Sequence, residues 1–202
     1  MIILIDNGHG LGDPNGSPDG IYKEWAWARE MAGLIRRELI ALGQDARLLV
    51  EEMENIPLGE RVRRVNAVVS SYGRNNVIVV SIHSNAGPES DGQWHDGRWS
   101  GFVAEVAQNA SAESKQLADA IWARAIEAGL KGNRSVVEKP GQRYLTANLA
   151  ICRDTLCPAV LTESAFHDTR DGVRLLTTEK PRIALAHANG IMDYINAKQH
   201  KA

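Results

Sequence analysis

Two histidines and two glutamates stand where apolar runs end or a helical pattern begins: His9, Glu24, His83 and Glu163. His9 follows the apolar run Ile2-Ile3-Leu4-Ile5 within Asp6-Asn7-Gly8-His9-Gly10, where flanking glycines allow an unusual backbone path. His83 closes Val77-Ile78-Val79-Val80-Ser81-Ile82, Glu163 closes Ala159-Val160-Leu161-Thr162, and Glu24 opens an amphipathic stretch. Two neutral imidazoles and one carboxylate are a donor set for catalytic zinc, which keeps a fourth position for water. A second carboxylate beside such a site takes a proton from the attacking water and returns it to the departing amine. Taken singly, each residue also fits an ordinary role, such as a glutamate favoured by the helix dipole. No local signature of the HExxH kind ties them together.

Further polar and aromatic residues fall around these four. Asn85, just beyond His83, and Arg61 or Arg64 are candidate anchors for substrate amides or carboxylates. Trp94, His95 and Trp99 lie in the polar, Gly-rich stretch 86–100, where the rings either stack on sugars or pin the loop to the body. Of Trp25 and Trp27, one is expected in the core and the other at the site wall. Asp6 is placed either to orient a ligand histidine or to support backbone. His167, near Glu163, is expected at the surface or, alternatively, behind the site, His187 in the core, and Cys152 and Cys157 as free thiols.

The elements that must position these groups alternate between short apolar runs and helical periodicity, which predicts an α/β domain. Strands are expected at Ile2–Asp6, Ala46–Val50, Val77–Ile82, Gly101–Val106, Leu149–Cys152 and Ala159–Glu163. The Val77 and Ala159 runs are apolar on both faces, so they should be central. Helices are expected from Glu24 to the stop at Gly43, along Leu58 to Tyr72, along Leu117 to Ala128, and from Pro181 to Tyr194. The predicted architecture is a single domain over 1–202, with a fraying tail at 197–202. Its sheet should be twisted, mixed but mostly parallel, with about six strands and helices on both faces.

Composition agrees with an ordinary globular domain: 202 residues, 44% hydrophobic and 24% charged. With 23 Lys and Arg against 25 Asp and Glu and no basic block, nothing suggests a nucleic-acid partner. The apolar runs are far shorter than the roughly 20 residues of a membrane span. The first residues carry no basic leader of the signal-peptide kind, so synthesis in the cytoplasm is expected.

The chain resembles the zinc-dependent N-acetylmuramoyl-L-alanine amidases of bacterial autolysins and phage endolysins. The resemblance is carried, in order, by Ile5-Asp6-Asn7-Gly8-His9-Gly10, Lys23-Glu24, Leu58 to Arg61 with Asn66, Val80-Ser81-Ile82-His83-Ser84-Asn85-Ala86, and Pro158-Ala159-Val160-Leu161-Thr162-Glu163-Ser164-Ala165-Phe166. It departs from the family pattern at Asn7, Leu11 and Ser164-Ala165. The resemblance implies that His9, Glu24 and His83 hold one zinc ion per chain and that Glu163 is the catalytic carboxylate. It also implies peptidoglycan as substrate, cut between N-acetylmuramic acid and L-alanine. Such an enzyme would reach the wall as a released phage lysin or as an exported protein trimmed of its leader. The alternatives are a zinc carboxypeptidase or other amide hydrolase, and a catalytically silent peptidoglycan-binding module.

Overall fold

The computed structural model describes residues 1–89, 91–137 and 141–200. Six strands form one sheet in the order β2-β1-β3-β6-β4-β5: β1 (Ile2–Asn7), β2 (Asp45–Leu48), β3 (Val77–Asn85), β4 (Val103–Ala107), β5 (Leu145–Ala147) and β6 (Ala159–Phe166). All pairs are parallel except β4 with β6. The expected mixed, mostly parallel sheet is therefore present, with β3 and β6 at its centre. Because β1, β3 and β6 run the same way, their carboxyl ends share one edge, and it is there that open α/β sheets place their sites.

The helices are α1 (Glu24–Ala41), α2 (Leu58–Tyr72), α3 (Ala112–Glu127), α4 (Arg134–Val137), α5 (Ala150–Arg153), α6 (Arg170–Thr178) and α7 (Lys180–Gln199). Alternation along the strands sorts the core into two layers. Ile3, Ile5, Ile78, Val80, Ile82 and Val160 face α1, α3 and α7, meeting Met31, Ile35, Leu117, Ile121, Ile183 and Ile191. Ile2, Leu4, Val77, Val79, Ala159 and Leu161 face the other way, toward Val65 and Val69 of α2 and Ile151 of α5. On the first face α7 crosses α3 so closely that a Cβ on Gly190 would come within 2.4 Å of the Ile121 Cα.

Two expected features change. Leu149–Cys152, predicted as a strand, is the short helix α5 with its lead-in residue, and the edge strand is Leu145–Ala147 instead. Four apolar residues in a row are compatible with either state, and here they cap the α2 face of the sheet. Helix α6 spans only nine residues and buries a single one, Leu176, so it is too short for an apolar period to stand out. Helix α7 takes in 197–199 of the expected tail, while residues 201 and 202 lie outside the described residues.

Candidate metal centre and active site

His9 follows β1 directly and holds a left-handed backbone, φ 61°, which is strained for a side-chain-bearing residue. Its carbonyl accepts hydrogen bonds from Arg61 Nη2 (2.7 Å) and Arg29 Nη1 (3.2 Å), which offset that strain. Gly8 must be glycine, since a Cβ there would lie 2.2 Å from the His83 ring. Glu24 is the first residue of α1 and is almost fully buried. His83 stands near the end of β3 and is only partly buried.

These three residues converge. The Glu24 Oε1 lies 3.0 Å from His83 Nδ1 and also accepts from the Ser84 N–H at 3.0 Å, while Oε2 lies 3.3 Å from His9 Nε2. The two imidazoles meet edge to face with centroids 4.9 Å apart. One donor atom from each of the three lies within 4.8 Å of the others, and among the described residues this is the one such group. Burial alone would raise the Glu24 carboxyl, but His83 and His9 outweigh it and hold it well below the usual carboxylate range. Burial lowers the His9 imidazole, yet Glu24 and Asp13 more than compensate, so it sits above its ordinary value. Two imidazoles around an ionised carboxylate, at contact distance and open to solvent on one side, fit a divalent cation of the zinc type.

Glu163 lies beside this group. It pairs in register with His83 across β3 and β6, and with Val103 of β4 on its other side. Its Oε2 is buried with no hydrogen-bond partner. Burial, and then the charges of Glu24 and Glu105, push its carboxyl well above the usual range. Such a group is poised to exchange a proton. Glu105, on the same face of β4, is itself raised by burial and was not anticipated from the sequence, where it reads as a strand residue.

A cleft of about 440 Å³ opens from the two histidines onto the α2 side of the sheet. Asp6, Ser81 and Leu161 line it, with Ile56 and Pro57 before α2 and Leu149 and Ile151 at α5. Arg61 also reaches this cleft, but it is 2% exposed and its donors are engaged. It bonds Asp6 Oδ1, the Asn7 carbonyl, the His9 carbonyl and the Ile56 carbonyl. The expected substrate anchor is thus a brace for the chain around His9. Arg64 pairs instead with Glu52 and Glu60 at the surface. Asp6 supports the backbone segment through Arg61 and accepts from Ser81 Oγ at 2.6 Å, rather than holding either imidazole.

The remaining sequence candidates separate. Asn85 closes β3, its carbonyl accepting from the His167 N–H and its side chain from the Ala86 N–H. Trp94 lies beneath Arg170, which pairs with Asp96, and Trp99 stacks on Phe166 while its indole N–H donates to Glu89. Both rings therefore pin the 86–100 loop, although each stays partly exposed. His95 is buried between Asp168 and Asp91. Trp27 is core, its N–H donating to the Leu176 carbonyl, and Trp25 remains half-exposed against Arg29. His167 is not at the surface but takes the alternative place, buried 4.0 Å from Glu24, stacked on Tyr22 and hydrogen-bonded to Ser84 Oγ. Cys152 and Cys157 are free and buried, which pushes each thiol up to about 12.

Comparison with known proteins decides the family. A family profile described as N-acetylmuramoyl-L-alanine amidase matches residues 3–193. The chain belongs to this family. Within the amidase family, the endolysin of Bacillus phage SPP1 is 28% identical over 201 residues, covering 98% of this chain and 67% of the relative. The sporulation-specific N-acetylmuramoyl-L-alanine amidase of Bacillus subtilis is 26% identical over 201 residues, covering 98% and 69%. The solved amidase from Clostridium difficile 630 superposes with a TM-score of 0.77 at 22% identity, covering 98% of both chains. Ami1 of Mycobacterium smegmatis gives 0.79 at 19%, covering 98% of this chain and 97% of that one. The fold is thus the amidase fold throughout.

Proposed function

We propose that the chain hydrolyses the amide between N-acetylmuramic acid and the L-alanine of the peptidoglycan stem, with one zinc ion held by His9, Glu24 and His83. Supporting this reading above all is the convergence of three donors within 4.8 Å beside a carboxyl oxygen that has no partner of its own. Bound there, zinc would act as a Lewis acid on the scissile carbonyl and lower the pKa of water. Glu24 stays ionised, so it carries the negative charge the ion needs. Glu163 accepts the proton of the attacking water and hands it to the departing nitrogen, a role suited to its raised pKa. The apolar walls of the cleft receive the groups flanking the scissile bond, and the part-exposed rings of Trp94 and Trp99 remain available to stack on sugar faces. An endolysin and a sporulation-specific amidase among the relatives support action at the cell wall, reached as a released lysin or as an exported protein. No described helix is long and apolar enough to cross a membrane.

The test pairs zinc stoichiometry of wild type and His83→Ala with mass spectrometry of digested peptidoglycan. One zinc per chain, lost in the variant, with stem peptides bearing a free L-alanine amino terminus is the expected result. Zinc without that product would transfer the site to another amide, and a metal-free, inactive wild type would leave a silent wall-binding module.

A further inference from the structure

The His9 ring is held from behind. Its Nδ1 lies 2.9 Å from Asp13 Oδ2, four residues on, while Nε2 faces Glu24. Asp13 is not a loose surface acid: its side chain is 13% exposed and is fixed on both oxygens. Oδ1 accepts from the Asn15 N–H at 3.1 Å, and Oδ2 accepts from Asn55 Nδ2 at 3.2 Å. The turn is closed by the Asp13 N–H donating to the Gly10 carbonyl. Asn55 belongs to the segment before α2 that walls the cleft. A neutral imidazole has one proton to place. A carboxylate at Nδ1 takes it as a hydrogen bond and leaves the lone pair on Nε2, toward Glu24.

We propose that Asp13, braced by Asn55, is a positioning residue: it fixes the tautomer and rotation of His9 so that Nε2 is presented as a metal donor. The inference rests on the metal reading of His9, Glu24 and His83. Its energetic reason is that a histidine ring otherwise turns about two bonds and shares its proton between two nitrogens. Among the three donors His9 needs this most, since it sits on a turn rather than within a strand. The His9 carbonyl is held separately by Arg29 and Arg61, and of the two Asp13 oxygens Oδ1 holds the turn while Oδ2 meets the ring.

The experiment compares wild type with Asp13→Asn, Asp13→Ala and Asn55→Ala, each purified, stripped and titrated with zinc against a chromophoric chelator. Asp13→Asn and Asp13→Ala are expected to bind zinc about 10- to 100-fold more weakly, with Asn55→Ala showing a smaller loss. Melting of the metal-free proteins separates positioning from folding: Asp13→Asn should melt close to wild type. The visible absorption of the cobalt-substituted proteins should shift in the Asp13 variants, since the ligand field reports ring orientation. Wild-type zinc affinity and an unchanged cobalt spectrum in Asp13→Asn and Asp13→Ala would overturn the proposal. So would weakened affinity that merely tracks a lowered metal-free melting temperature. A wild type that binds no zinc would instead overturn the metal reading itself, which keeps the two failures apart.

Discussion

At the scale of single residues, proximity to the site does not define a role; the partners do. Glu163 pairs in register with His83 and Arg61 lines the cleft, yet one has an oxygen with no partner and the other has its donors bonded. Glu163→Gln keeps shape and removes the proton acceptor, so turnover on peptidoglycan should fall about 10²- to 10⁴-fold with zinc content unchanged. Assay of kcat beside metal analysis checks this; activity within a few-fold of wild type would remove Glu163 from the chemistry. Arg61→Ala strands the buried Asp6 carboxylate and frees the strained turn at His9. A buried pair broken on one side costs roughly 3–5 kcal/mol, to be read from the denaturant midpoint. If stability holds and KM rises instead, Arg61 is a substrate anchor after all. The four central polar residues were legible because each closes a strand or opens a helix. Arg61 misled because arginines are usually exposed, and Asp13 carries no pattern beyond its distance of four from His9.

At the scale of elements, the buried face of α7 supplies a pH response remote from the site. His187 sits on that helix with Nδ1 2.8 Å from the Ile183 carbonyl and Nε2 2.9 Å from Thr162 Oγ1. Burial brings its pKa from 6.5 down to about 4, so it is neutral in the folded chain. Above pH 6.5 neither folded nor unfolded chain is protonated there. As pH falls from 6.5 toward 4 only the unfolded chain gains the proton, so stability drops through that window and levels off below it. The size is on the order of 3 kcal/mol. His187→Gln cannot titrate, so thermal melts between pH 7 and pH 4 should show a shallower decline than wild type. Parallel slopes would mean the acid sensitivity lies elsewhere. Long amphipathic helices and the two central strands were readable in advance, as their apolar periods are regular. Helix α5, strand β5 and helix α6 were not, being four, three and nine residues long, too short for a period to stand out.

For the whole molecule, the donors tie together three parts of the chain: the turn after β1, the start of α1 and the end of β3. Zinc should therefore act as a staple as well as a reagent. At a thousand times its dissociation constant it adds about 4 kcal/mol, so chelation should lower the melting temperature on the order of 10 °C and abolish activity, both restored by zinc. A melting temperature indifferent to chelator would argue against a site at these residues. The order of strands carries a different consequence. Glu163 belongs to β6, which is late in sequence yet slots between β3 and β4 in the middle of the sheet. A chain emerging from the ribosome displays both histidines and Glu24 well before Glu163, the proposed proton carrier, exists, and β3 has no neighbour on that side until β6 arrives. With Glu163 in the proposed role, the nascent polypeptide stays hydrolytically silent until β6 has been made and inserted, so a cell producing this amidase meets its activity only in finished molecules.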